Sequence, residues 1–546
     1  LCGFRQPDIT LASAIELLLL TKHCFVFNLP ESLLQGVLMV NTKGMVKRMV
    51  RKEDRLQTAW IVLATTCFAL TGCAVGPDYH RPSMDLPDHF KEGVDWQRAQ
   101  PGTSAALRDD WWLSYQDQEL NQIIQQALKA NQSIAAAEAA YRVSQAVVHG
   151  ASAAMYPTVG ANLGATRSGY GPNVPLVAGG TGKAATYNLV SVGATVSWEP
   201  DLWGAVSRGV EAAKASEEAN DAQLAGVRLS IAASVASDYF ALRQADADIV
   251  STQSQRDVDE KILHMVEASR ENGLTSNDEV LAARNAVDSD VTALETLQTV
   301  REQTEHAIAV LLGLPPASFS LPARPVYVFN VPQIPLLLPS ELLLRRYDVV
   351  NAERTAAAAN ARIGVAKAAF FPELNLSAQG GFDNSSAAQL LSASSRVWTL
   401  GPSLALTLFD GGARDAAVES ARATYDGDAA IYRNTVITAF QSVEDSLSSM
   451  HHLDMQVLAQ SRILKNSEQL FANAQQQRQI GSGSEQDLLS AQLALLAAQR
   501  NFTDARAASC QSSVMLIKNL GGGWQWKTSE QPQNSPPAAI QSRSSQ

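Results

Sequence analysis

Proline interrupts helices, because it lacks a backbone donor and its ring clashes with the preceding turn. Beyond Pro101 the chain's longest proline-free intervals are 102–156, 201–314, 340–371 and 403–531. In that part of the chain these are the places for long helices, and two short intervals alternate with two long ones. Inside the long ones Ala, Leu, Gln, Glu, Arg and Ser dominate, and apolar residues recur at helical steps, as in Leu224, Val227, Leu229, Ile231, Val235 and Tyr239. That composition predicts long, slender, coiled-coil-like helices. At 1.5 Å per residue, about sixty residues make a rod of roughly 90 Å.

The pieces between the helical intervals follow another rhythm. In "TVGANLGAT", Val159, Ala161, Leu163 and Ala165 alternate with small or polar residues, and in "NLVSVGATVSW" so do Val190, Val192, Ala194, Val196 and Trp198. The pattern returns in "ELNLSAQGGF" and in "WTLGPSLALTLF", which runs to Phe409. A period of two predicts four half-exposed strands. Tyr156, Trp198, Trp203, Phe371 and Phe409 flank their helix-proximal ends, and Tyr170, Tyr187, Phe382 and Trp398 lie near the loops. This matches the two aromatic girdles of a membrane β-barrel; a soluble β-sandwich is the competing reading.

The chain also repeats itself. An offset of 208 superposes Glu211 on Glu419, Val235 on Val443, Gly273 on Gly481, Ser276 on Ser484 and Leu281 on Leu489. Earlier, "AAMYP" at 153–157 matches "AAFFP" at 368–372 with an offset of 215. Two copies of helix, β-hairpin, long helix, polar break and helix follow. Four strands cannot close a barrel, yet backbone facing lipid must be hydrogen-bonded. Several chains must therefore share one barrel, and three copies would leave room for water where two would not. Small residues such as Gly193, Ser197, Ser377 and Ser403 favour a channel.

The segment Met45 to Cys73 has a basic head, an apolar run from Ala59 to Leu70 and a small-residue end. A run of roughly a dozen residues is too short to span a bilayer, and reads as an export signal. Its end, Leu70-Thr71-Gly72-Cys73, resembles a bacterial lipobox. That resemblance implies cleavage before Cys73 and a covalent lipid there, N-palmitoyl and S-diacylglycerol. Ala74 in place of aspartate fits the pattern passed to the outer membrane. The formal net charge is −11, which argues against a nucleic-acid partner. The five cysteines, Cys2, Cys24, Cys67, Cys73 and Cys510, have the spacing of neither a zinc site nor a disulfide framework.

"CAVGPDYHRP" from Cys73, the pair Trp111 and Trp112, "WEPDLWG" from Trp198, "RRYDVVNAERTAAAANARIGVAKAAFFPEL" from Arg345 and "LFDGGARDAA" from Leu408 together resemble the TolC-type outer-membrane efflux proteins, in their NodT-like lipoprotein branch. The resemblance covers Cys73 to about Leu520. It implies an α+β membrane protein: a homotrimer whose twelve-stranded β-barrel, four strands per chain, continues into a long α-helical coiled-coil barrel. It further implies the passive exit duct of a tripartite efflux pump, with a periplasmic adaptor and an inner-membrane RND or MFS transporter as partners. Tyr347 departs from the family, which usually has proline in "RRPDV", and this bears on the local turn alone. The alternative reading is a non-conducting periplasmic coiled-coil lipoprotein or adaptor.

The expected layout is an upstream extension over 1–44, ahead of a true start at Met45 or Met49, then a lipoprotein signal peptide over 45–72 and a lipid-anchored segment over 73–115. The first repeat spans 116–314, with its β-hairpin at 157–202 and its tip near Gly273. An equatorial linker over 315–340 leads to the second repeat, 341–520, with its β-hairpin at 372–409 and its tip near Gly481. A loose tail covers 521–546.

No nucleophile elbow, phosphate loop, HExxH or CxxC motif occurs, so the expectation is a transport component without catalysis, cofactor or metal. The adjacent His451 and His452 read as a solvated helix face. By resemblance, the polar breaks are hairpin turns at the periplasmic mouth of the tunnel. Glu279 and Asp487 align with the family's constricting gate carboxylates, while Gly273-Leu274 and Gly481-Ser482 match its adaptor-contacting tips. Arg270 and Arg478 precede each tip by the same spacing and are candidate salt-bridge partners of those carboxylates, the alternative being solvated surface arginines. Acids at a helix N-terminus also complement the helix dipole, and the two roles are compatible.

Overall fold

The computed structural model describes residues 74–85, 90–93, 109–171, 175–176, 180–181, 185–334 and 345–524. The extension, the signal segment, Cys73 itself and the tail beyond Trp524 lie outside the described residues.

Seven α-helices and four long strands organise these residues. Helices α1 (Gln118–Ala130) and α2 (Gln132–Ala153) lead into strands β1 (Thr158–Tyr170) and β2 (Ala185–Trp198). Helices α3 (Ala205–Glu271) and α4 (Asn277–Leu311) follow. After the linker come α5 (Tyr347–Ala368), β3 (Glu373–Asn384), β4 (Arg396–Ala405), α6 (Ala413–Gln479) and α7 (Glu485–Asn519). The starts of α3 and α6, Ala205 and Ala413, are 208 residues apart, and so are those of α4 and α7, Asn277 and Glu485. Helices α3 and α6 each have 67 residues, α4 and α7 each 35. A 67-residue helix is about 100 Å long. Among the described residues, no helix is long and apolar enough to cross a membrane.

The strands form one antiparallel sheet in chain order, β1 to β4. Its register sorts the side chains cleanly, since alternate residues point to opposite faces. Val159 pairs with Val196, Val196 with Ala378 and Ala378 with Leu400, whereas Gly160 pairs with Thr195, Thr195 with Gln379 and Gln379 with Thr399. One face is therefore apolar and the other small or polar. The fourth strand stops at Ala405, whose partner Glu373 opens β3. The expected alternation through Phe409 thus overruns the strand, because beyond Ala405 the ladder has no partner residue.

The main core lies where the helices are crossed by the linker. Trp111, Trp112 and Tyr115 pack with Leu120 and Ile124 of α1, Tyr239 and Phe240 of α3, and Val514 and Ile517 of α7. The linker enters this core through Leu321, Phe329 and Ile334 and leaves Val326 and Val328 exposed. An ion network fixes it there. The fully buried Arg243 pairs with Asp246 at 2.7 Å and Glu119 at 2.9 Å, and donates to the Pro322 carbonyl at 2.9 Å. Asp246 also accepts from Arg301 Nε at 2.7 Å and from the Arg324 backbone N–H at 2.9 Å. Buried charges persist when paired and hydrogen-bonded in this way.

Tyr347 is the first residue of α5, a position that accepts proline because its N–H has no intrahelical partner. Here its ring lies against α3, at Gly226. A Cβ on that glycine would sit 2.2 Å from Tyr347 Cδ2. The departure from the family sequence is thus accommodated by a residue without a side chain.

Candidate functional site

Each long helical hairpin turns through the same local structure. Helix α3 is capped at Asn272, after which Gly273 takes φ 72°, in the left-handed region open to glycine. The Gly273 N–H then donates to the Arg270 carbonyl at 2.8 Å and the Leu274 N–H to the Ser269 carbonyl at 2.9 Å. This is a Schellman ending, which satisfies carbonyls at the helix terminus. Gly481 repeats it with φ 76°, its N–H donating to the Arg478 carbonyl and that of Ser482 to the Gln477 carbonyl.

The following helices begin with serine caps. Ser276 accepts from the Glu279 N–H at 3.2 Å, and the Glu279 carboxylate accepts from the Thr275 hydroxyl. Ser484 and Asp487 form a full capping box: Ser484 accepts from the Asp487 N–H at 3.0 Å, and Asp487 accepts from the Ser484 N–H at 3.2 Å and hydroxyl at 2.6 Å. Those two hydrogen bonds from Ser484 hold the Asp487 carboxyl below the ordinary carboxylate range.

Among the described residues, the two arginines bond to partners other than these carboxylates. Arg270 donates to Asn277, and Arg478 donates to Glu485 at 2.7 Å. Both partners stand at the first position of the next helix, which faces back across the turn, whereas Glu279 and Asp487 fold onto their own helix ends. The tips also differ in apolar display. The first exposes Leu274 (80%), after its glycine, and the second exposes Ile480 (78%), before its glycine. Leu274 matches Ser482 under the offset, and Ile480 matches Asn272, so the sequence signal for this is the comparison of all four positions.

At the other end of the long helices, Trp203 stacks on Phe371 with centroids 4.8 Å apart and donates from Nε1 to the Pro372 carbonyl at 2.8 Å. The N-terminal segment reaches this place. The Val75 N–H donates to the Trp203 carbonyl at 3.0 Å, and Asp78 pairs with Arg208 at 2.8 Å. That hydrogen bond and the guanidinium charge hold Asp78 below the ordinary carboxylate range. Further along, Asn360 donates to the Pro77 carbonyl at 3.0 Å, and Tyr79 donates to Glu353 at 2.8 Å. Burial raises the Glu353 carboxyl, but hydrogen bonding and charge from Arg354 bring it below its ordinary value.

His451 and His452 are both exposed on α6, their rings edge to face with centroids 5.4 Å apart. Among the described residues no group of three or more His, Cys, Asp or Glu could hold a metal ion.

The model of a family described as "Outer membrane efflux protein" matches residues 123–314 and 338–522. The chain is 30% identical over 473 residues to the toluene efflux pump outer membrane protein TtgC of Pseudomonas putida, covering 86% of this chain and 96% of that protein. It is 31% identical over 474 residues to the pyoverdine export outer membrane protein OpmQ of Pseudomonas aeruginosa, covering 85% and 96%. Among solved structures, the outer-membrane channel OprN superposes with a TM-score of 0.75 at 26% identity, over 83% of this chain and 100% of that one.

Proposed function

The chain belongs to the outer membrane efflux protein family, and from this we propose that it is the passive exit duct of a tripartite efflux pump in a Gram-negative cell. The observation that carries the reading is the described sheet, with its apolar face and with β1 and β4 as its two outer strands. In lipid such edges leave N–H and C=O groups unsatisfied. Three copies joined edge to edge close twelve strands around a lumen lined by the small and polar face. The long helices continue that lumen into the periplasm, as two sequence-related hairpins per chain.

The tips at Gly273-Leu274 and Gly481-Ser482 then meet a periplasmic adaptor, which joins the duct to an inner-membrane RND or MFS transporter. Rings of Glu279 and Asp487 narrow the mouth, and close carboxylates there attract cations. Cys73, bearing N-palmitoyl and S-diacylglycerol, precedes the segment that docks beside Trp203. Relatives are named for toluene and for pyoverdine, which supports placing cargo choice in the energised partner.

Reconstituted protein is expected to run as a heat-resistant trimer and to give stepwise conductance in planar bilayers. A monomer silent in bilayers would overturn the reading in favour of a non-conducting lipoprotein. Glu279→Gln combined with Asp487→Asn is expected to lower cation preference and lengthen openings; unchanged closure and selectivity would remove both from the gate.

A further inference from the structure

Between the main core and the tips, the buried stripe of α3 changes character. Asp248, Thr252, Gln255 and Asp259 follow one another at steps of four, three and four, the spacing of a coiled-coil seam, where apolar residues are expected. Asp248, Thr252 and Asp259 are buried there, and so is Asp290, which faces the stripe from α4.

Two carboxyl pairs result. Asp248 faces Asp504 of α7, while Gln244 Nε2 donates to Asp504 Oδ1 at 2.9 Å. Arg500 of α7 comes no nearer to Asp248 Oδ1 than 3.6 Å, and that buried oxygen has no hydrogen-bond partner. The neighbouring Asp246 is engaged by Arg243 and Arg301. Eleven residues on, Asp259 faces Asp290 of α4, and Gln255 Nε2 donates to Asp290 Oδ1 at 2.7 Å. Asp290 Oδ2 is buried without a partner. Arg256, the adjacent cation on α3, lies 3.3 Å from Glu260 and 3.6 Å from Asp257.

A buried carboxylate cannot ionise cheaply beside a second one, as with Asp248 beside the half-buried Asp504 and Asp259 beside the buried Asp290, and a shared proton resolves the conflict. We propose that the Asp248–Asp504 and Asp259–Asp290 pairs are a proton-operated latch, which holds α3 to α7 and to α4 when each pair keeps one proton and loosens the lower helical seam when the protons leave. Burial, then the facing carboxyl, pushes Asp248 up to about 7 and Asp259 up to about 6. A carboxyl raised on folding stabilises fully below its unfolded value and ceases to do so as pH rises through its folded one. The seam is thus tightest in acid and loosens through about pH 6 and about pH 7. Helix α3 belongs to one hairpin and α7 to the other, so the Asp248–Asp504 pair governs how freely the two hairpins part, while Asp259–Asp290 closes the first hairpin on itself. Its link to channel opening rests on the duct reading above, but the latch itself does not.

The test uses the full chain in detergent, without conductance. Infrared difference spectra between about pH 5 and about pH 9 should show a protonated carboxyl band for each pair that disappears on alkalisation, one lost in Asp248→Asn and the other in Asp259→Asn. Amide exchange over 244–259, corrected for its intrinsic pH dependence, should accelerate by about tenfold over the same rise, and this acceleration should vanish in the double variant. Asp504→Asn removes the like-charged neighbour and should shift the Asp248 midpoint downward. Spectra without these bands, or a midpoint unmoved in Asp504→Asn, would overturn the latch. Midpoints that move with added calcium and return with chelator would overturn it in favour of a cation site.

Discussion

Replacing Gly226 by alanine sets two effects against each other. Alanine is favoured over glycine in a helix interior by about 1 kcal/mol, and Gly226 lies well inside α3. Against this, the new Cβ would stand 2.2 Å from Cδ2 and 2.4 Å from Cε2 of Tyr347. Carbon atoms rest at about 3.5–4.0 Å, so the ring must withdraw by more than an ångström or α5 must shift. Overpacking of this kind costs about 1–3 kcal/mol. The single variant should therefore be destabilised by up to about 2 kcal/mol. With Tyr347→Ala as background the obstruction is gone, and the same substitution should stabilise by about 1 kcal/mol. Tyr347→Pro offers a second background, since the first position of a helix tolerates proline. Urea unfolding in detergent at fixed protein concentration reads the four corners of the cycle. Equal effects of Gly226→Ala with and without the tyrosine would refute the contact as the reason for the glycine.

Arg243→Met should be among the costliest substitutions in the chain, because Asp246 and Glu119 each lose a buried partner. The expected loss is about 3–5 kcal/mol, read as a lowered unfolding midpoint, and a loss below about 1 kcal/mol would show that Arg301 and Arg324 suffice. Cys510 is fully buried in the main core, and burial pushes its thiol up to about 12. Maleimide should leave it unmodified in the native protein at neutral pH and label it fully in denaturant; fast native labelling would mean that the core opens there.

Legibility in the sequence follows the range of the interaction. Alternation at Val159, Ala161 and Leu163 is local, and the strand lies where it predicts. The offset joining Gly273 to Gly481 returns in the helix boundaries themselves. Helix-end chemistry is partly readable, as Ser484 and Asp487 have capping-box spacing, but the arginine partners are not: a long side chain reaches several neighbours, and the first helical position is the one each arginine meets. The Arg243–Asp246 pair is three residues apart and visible in principle, yet its burial depends on Glu119 and the linker, far away in sequence. Tyr347 against Gly226 and Asp248 against Asp504 join distant segments without any periodic signal.

The segment from Ala74 to Asp85 has a mechanical consequence. Its fastenings, Val75 to Trp203, Pro77 to Asn360, Asp78 to Arg208 and Tyr79 to Glu353, are spread along α3, α5 and the turn before α3. A pull along the helix axis loads them in shear, so that several must yield together, whereas a pull away from the surface would peel them one after another. Tension between the strand end and the tips is thus resisted by the strap as a whole, which is moored through Val75 at the point where that tension begins.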